Sequence, residues 1–402
     1  MAHRFKVRSA LAPAPGPPRD WRAVTPALRL SLFYAAFFFG TGIQFPFWPV
    51  WLASRGLGAA EIGALLAIGQ WIRVAANPLM GALADRAADR RRVMALLGAL
   101  GVVGYLLCVP ARGFAALVLP SAVVAATAAA LVPLADSMAL AAGPGLRIDY
   151  GRVRLWGTVA FILATLLGGG ILEGRSPDIV LYLLLGAAAV TAASCAWLPR
   201  VAVARRTVPA PWLGLLDRRI LLFLAAATLI QASHAVYYAF GTLYWQRLGY
   251  SDAVIAWLWA EGAIAEVVLF YFGAPLVRRF GPHGLMMLGG GAALVRWSAT
   301  AVATALPALM ALQPLHALSF AAAHLGAVHF LARSVAPERA ASAQSLYAAV
   351  VNGIGLGIVS LGAGALYAAV GGSAYFAMAA MGGAGAALAA RNARYLASTT
   401  SE

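Results

Sequence analysis

The sequence predicts an all-α protein that crosses a membrane about twelve times, with the helices arranged as two bundles of six. Three observations predict it. The 402 residues are 62% hydrophobic and only 11% charged, with a mean hydropathy of +0.80, far more apolar than the surface of a water-soluble domain allows. The apolar residues come in runs of about 20, the length that crosses a ~30 Å hydrocarbon layer. The Lys and Arg residues lie between these runs and favour alternate connections.

In order along the chain, residues 1–28 are basic and proline-rich (Pro13, Pro15, Pro17, Pro18) and lack the apolar core of a signal peptide, so they read as a disordered cytoplasmic tail. Six apolar runs follow at residues 29–52, 61–83, 93–110, 113–140, 152–172 and 178–198, making an N-terminal bundle over 29–198. Residues 199–218, with Arg205, Arg206, Pro209, Pro211 and Asp217, read as a cytoplasmic linker. Six more runs at 219–245, 252–273, 284–303, 306–333, 340–367 and 372–390 make a C-terminal bundle over 219–391, and 392–402 reads as a second cytoplasmic tail.

Orientation comes from charge. The tails and even-numbered connections hold 24 of the 30 basic residues, against Arg55, Arg112, Arg175 and Arg247 on the other side, which places both termini in the cytoplasm of a bacterial inner membrane. That topology accounts for the net charge of +16, whose arginines form short clusters and not the continuous basic face a nucleic acid requires. Cys108 and Cys195 lie in apolar runs with no metal-ligand spacing, and the chain shows no nucleophile motif or phosphate-binding glycine loop. The reading is a monomer, not an enzyme, with no cofactor and no metal; its partners are the bilayer, a small-molecule substrate and protons.

The halves echo each other. Leu57-Gly58 precedes the second span, which ends at Gly81-Ala-Leu-Ala-Asp85-Arg86; Leu248-Gly249 precedes the eighth, which ends at Gly273-Ala-Pro-Leu-Val-Arg278-Arg279. A repeat between halves of equal topology predicts two bundles about an axis along the membrane normal, with a cavity between them. The run from Gly81 through Asp85, Arg86 and Asp89 to Arg92 resembles the cytoplasmic loop signature of the major facilitator superfamily. Three longer strings resemble the phenylpropionate permease group within that superfamily: Gly42-Ile-Gln-Phe-Pro46-Phe-Trp48-Pro-Val-Trp51-Leu, Asp149-Tyr-Gly-Arg-Val-Arg154-Leu-Trp156-Gly and His234-Ala-Val-Tyr237-Tyr238-Ala-Phe. Tyr244-Trp245-Gln and Val295-Arg296-Trp297 fit as well. The resemblance implies the major facilitator fold and proton-coupled uptake, by alternating access, of a small aromatic carboxylate such as 3-phenylpropionate.

Charge inside the spans marks the candidate site, because a charged side chain costs about 2.5–3.5 kcal/mol near a helix centre in hydrocarbon. Arg73, with Gln70 and Asn77 at helical spacing, forms a polar stripe in the second span and is the first choice to hold a substrate carboxylate. Gln44, Asn77 and Asn352 are candidate polar contacts, His234 offers a neutral group at a depth matching Ile43, and Trp48, Tyr237, Tyr238 and Trp259 are candidate walls. Trp51 and Tyr244 read as interfacial belt residues. Glu266 lies near the equivalent of Arg73 in the eighth span, Arg296 in the ninth, and His316, His324 and His329 in the tenth, a set similar to the arginine and histidine of the lactose permease group. That group also has an acid on span ten, which this chain lacks, so Glu266 or Glu261, about 140° apart around the eighth span, has to accept the proton; Glu266, near Arg296, is expected to exchange it, with His316 and His324 assisting. A purely structural Glu266–Arg296 ion pair is the competing expectation, and Arg296 is the alternative anchor. A cytoplasmic gate is expected from Asp85, Arg86, Asp136, Arg152 and Arg154, with the last two pairing with Asp85 or Asp136. Two other functions stay open: a proton-driven exporter on the same fold, and a ligand sensor that does not transport.

Overall fold

A computed structural model of the protein describes residues 25–87, 89–146, 148–201, 217–336 and 339–399. The expected tails, apart from residues 25–28 and 392–399, and most of the expected linker lie outside the described residues.

The N-terminal half is six helices: α1 (Pro26–Ser54), α2 (Ala59–Arg86), α3 (Arg90–Cys108), α4 (Gly113–Leu146), α5 (Tyr150–Leu172) and α6 (Asp178–Trp197). Their starts are chemically marked. Thr25, Asp89 and Asp149 each cap a helix by accepting the amide of Leu28, Arg91 or Arg152.

The C-terminal half is more broken. Its first crossing is α7 (Arg218–Ala232) and α8 (Ala235–Arg247), interrupted at Ser233–His234. Asp217 caps α7 through the Ile220 amide; burial pushes its carboxyl up, but Arg219 and that amide outweigh it and hold it below the ordinary carboxylate range. α9 (Asp252–Tyr271) and α10 (Gly273–Val302) follow, the latter kinked at Gly281, where φ of 63° favours glycine. The next crossing joins α11 (Leu306–Leu312) to α12 (Ala323–Ser334) through a π-helical segment, Ala317–Ala322. The one after joins α13 (Ala340–Tyr347) to α14 (Leu356–Val370) through another, Ala348–Gly355, and α15 (Ala374–Thr399) closes the chain. Among the described residues, eleven stretches are long and apolar enough to span a bilayer. The last, Ser342–Tyr395, has 54 residues, about 80 Å as a straight helix, and reverses at Gly371, so the crossings number twelve.

The face carrying both ends of the described chain is called here the terminal face. At the opposite face the halves share one core, in which Trp48, Trp51 and Leu65 of the first half pack in a cluster with Trp245, Trp259 and Tyr367 of the second. Toward the terminal face each half keeps its own core, one around Phe33, Met94 and Leu134, the other around Phe223, Met286 and Phe330. The halves meet through α2 against α14 and α5 against α9, with α1 touching α8. In the repeat the second span corresponds to the eighth and the fifth to the eleventh, so the two main contacts are one contact used twice. Both depend on missing side chains: a Cβ on Gly63 would stand 2.6 Å from the Ser360 carbonyl oxygen and 2.8 Å from the Gly364 Cα, and one on Gly169 would overlap the Asp252 carbonyl and Ala256. From Asn77 onward much of α2 is uncovered, with Leu79 57% and Leu83 46% exposed. The molecule is sealed at the opposite face and parted at the terminal face.

Two expectations fail against this packing. Trp51 is fully buried, stacked on Trp48 at 4.5 Å and lying under the Arg55 guanidinium, and Tyr244 is buried against Tyr375; neither belongs to an interfacial belt. The seal between the halves covers both.

Candidate functional site

Arg296 of α10 is 1% exposed and is held at its two terminal nitrogens, while its Nε has no hydrogen-bond partner among the described residues. Its guanidinium donates to Gln313 Oε1 at 3.1 Å and lies 2.9 Å from His316 Nδ1, with Ser319 Oγ at 3.5 Å. The Trp297 and Tyr237 rings flank it at 4.3 and 4.7 Å. Desolvated cation–π contacts are worth ~2 kcal/mol, which offsets much of the cost of burying this charge. Arg296 is therefore occupied as a structural centre and leaves no face for a substrate.

The expected direct Glu266–Arg296 pair is not formed. His316 stands between them, with Nε2 3.6 Å from a Glu266 carboxylate oxygen and Nδ1 on Arg296. The two ring nitrogens point in opposite directions, so one imidazole reaches both groups. Glu266 keeps about a quarter of its side-chain surface exposed. The set continues along the span: the Phe320 ring stacks on His316 at 5.3 Å and on His324 at 6.2 Å, and His324 contacts the Tyr347 hydroxyl at 3.3 Å. His234 is fully buried, with one nitrogen on Ser319 Oγ and the other on the Gln231 carbonyl, both at 3.1 Å.

Arg73 is the counter-example. It is half-buried and makes no hydrogen bond or ion pair among the described residues; its electrostatic neighbour is Tyr105 of α3. Asn77, one turn nearer the terminal face, is exposed, and Gln44 lines a cavity that also has Tyr105 in its wall. Asn352 is exposed on the π segment of the eleventh crossing, whose Gly353 receives Val74, one residue beyond Arg73. Of the four expected walls, Trp48, Tyr237 and Trp259 are buried, and Tyr238 alone is half-exposed, meeting Phe45 of the other half at 5.7 Å.

The expected gate pairs are also different. Asp85 pairs with Arg90, which is buried and donates to Ser137 of α4 at 2.9 Å. Asp136 accepts from the Tyr34 hydroxyl at 2.6 Å. Arg152 stays with Asp149 on the exposed first turn of α5, and Arg154 lies over the Phe38 and Tyr34 rings at 4.1 and 5.5 Å. Arg86 is exposed. Each acid meets a nearer partner first, so these contacts brace the first half internally and do not cross to the second. At the opposite face Arg55 bonds Asp178 at 2.7 Å, and Glu173 at the end of α5 accepts the Ala253 amide at the start of α9 at 3.0 Å, a link between the halves.

Sequence reading missed Gln313, Ser319, Tyr105 and Arg90. The first two had a signal, since residues 313, 316 and 319 recur at helical spacing; Tyr105 had none, as its contact with Arg73 joins α2 to α3 through space.

Two halves of six crossings, with buried charge between them, define a polytopic membrane carrier. Residues 27–378 match the family described as MFS_1 like, and the chain belongs to that family. It is 34% identical over 362 residues to the "Probable 3-phenylpropionic acid transporter" of Escherichia coli (strain K12), covering 87% of this chain and 93% of the relative. It is 30% identical over 362 residues to the maltose permease of Geobacillus stearothermophilus, covering 86% and 89%. The structure of the nucleoside transporter NupG, in its D323A mutant, superposes with a TM-score of 0.84 at 17% identity, over 92% of this chain and all of that one. The protein is thus a major facilitator transporter, a multi-pass membrane protein and not an enzyme.

Proposed function

We propose that this transporter imports a small organic anion, an aromatic carboxylate such as 3-phenylpropionate, together with a proton, across a bacterial inner membrane, with both termini in the cytoplasm. The observation that carries the reading is the contrast between two intramembrane cations: Arg296 is enclosed and hydrogen-bonded by its own half, while half-buried Arg73 has no hydrogen-bond or ion-pair partner among the described residues. An unpaired guanidinium at mid-membrane is a standing demand for a negative ligand. The name of the Escherichia coli relative supplies an anion of the right charge and size.

In this reading the carboxylate docks on Arg73, with Asn77 within reach of its second oxygen, while Glu266 takes and releases the proton. Ionised, Glu266 attracts His316 and through it pulls on the Arg296 hub; protonated, it no longer does. With the terminal face in the cytoplasm, the parted cleft is the inward-facing state. Arg86 is exposed and so available to the second half when that face closes.

The test is uptake of labelled 3-phenylpropionate into proteoliposomes under an inward proton gradient. The native protein is expected to accumulate it and lose the accumulation with an uncoupler. Arg73→Ala is expected to lose binding at least tenfold, and Glu266→Gln to exchange substrate without accumulating it. Accumulation by Glu266→Gln against a gradient removes Glu266 as the coupling acid, and absence of uptake by the native protein removes the substrate class.

A further inference from the structure

The first half contains a cavity that, apart from Gln44 in its wall, none of the expected site residues lines. It lies among α1, α3, α4 and α6, with Gln44, Gly101, Tyr105, Thr127, Ala128 and Leu184 in its wall, and has a volume of about 60 Å³. The wall is mostly apolar, with the Gln44 amide and the Tyr105 hydroxyl as its polar groups. The hydroxyls of Thr41, Thr127 and Thr191 all donate to carbonyls of their own helices, at 3.1, 2.9 and 2.8 Å, so they offer no unmet donor to a polar guest. At ~15 Å³ per water position the space holds roughly four waters, poorly bonded against such a wall, and an apolar group of that size displaces them favourably.

Its position gives it a use. Tyr105 and Val124 belong to the cavity wall; Tyr105 is the electrostatic neighbour of Arg73, and α2 packs on α4 one turn from Arg73, where a Cβ on Gly69 would stand 3.8 Å from that of Ala125, the residue after Val124. A molecule whose anionic end meets Arg73 therefore has, past the Tyr105 ring, an apolar space for its other end. We infer that this cavity is a side pocket of the transport site, taking the apolar end of a bound carboxylate and setting the size of substrate accepted. The inference rests on the organic-anion reading of Arg73 and adds to it a second subsite with its own residues. The pocket admits one small apolar group, the leading edge of a ring or a short branched alkyl end, and excludes larger ones. Gly101 and Ala128 keep it open from two different helices, so each can fill it independently.

The experiment measures binding of 3-phenylpropionate and of propionate to purified protein, native, Ala128→Leu and Gly101→Val. Ala225→Leu, on an exposed face of α7, serves as the substitution control. Thermal melting of each variant verifies that it is folded. Filling the pocket from either helix is expected to weaken 3-phenylpropionate at least tenfold while changing propionate less than twofold, and Leu184→Ala is expected to strengthen binding of a para-methylated ring. If both fillers leave the two affinities unchanged, or weaken both equally, the side pocket is overturned while the anion site stands. If the native protein binds neither carboxylate, the organic-anion reading falls and the pocket with it.

Discussion

Arg73 and Arg296 carry the same guanidinium into the same membrane and end in opposite chemical states. Arg296 is bonded by Gln313 and His316 and flanked by two rings; removing a partner should therefore show up as instability. His316→Phe leaves a buried donor unpaired, at a cost of about 1–3 kcal/mol, and is expected to lower the melting temperature in detergent. Glu266→Gln is expected to leave it unchanged, because Glu266 reaches Arg296 only through the imidazole. If Glu266→Gln melts as early as His316→Phe, Glu266 is a structural ion partner, for which losses of about 3–5 kcal/mol are usual. The sequence made these groups legible as rare intramembrane charges, and Glu266, His316 and Arg296 do come together. It did not show their order. Which of two acceptors an arginine takes depends on rotation and crossing of three helices, and the intermediate position of His316 is a product of that packing.

Among the elements, the pairings α2 with α14 and α5 with α9 show how a repeat becomes a seal. At Gly63 and Gly169 a side chain has no place to go, so closure at the opposite face is a backbone contact. Gly63→Leu is expected to wedge α2 from α14. Spin labels at residues 58 and 370 should then report a longer and broader distance distribution than in the native protein; an unchanged distribution means the contact is not the seal. The same face carries the Glu173 carboxylate on the Ala253 amide, and Glu173→Gln should weaken the seal less, since an amide oxygen still accepts that bond. Helix positions were readable from apolar runs, while the caps at Thr25, Asp89 and Asp149 became visible only in the fold. The π segments were not, although the glycines around Asn352 signalled a break in the eleventh crossing. Gly353 and Gly355 serve close packing against Val74 and Thr228 at that same place.

At the level of the whole molecule, the charge asymmetry makes a directional claim that labelling can check. Arg175→Cys should react with a membrane-impermeant maleimide on intact cells, and Arg394→Cys only after lysis; Cys108 and Cys195 are buried and should stay silent. The reverse pattern would invert the topology and turn the parted cleft outward. The two halves also differ in construction. The first is six uninterrupted helices, while the second has a break at Ser233–His234, a kink at Gly281 and two π segments. A π turn carries one residue more than an α turn needs, and relaxing it rotates everything beyond by about a quarter of a turn. The second half thus has slack stored in the tenth crossing, which carries His316, and in the eleventh, and the described helices of the first half hold no such segment. In construction the two halves are less a pair of equal rocking blocks than a stiff anvil and a jointed hammer, and the joints are where a change of shape costs least.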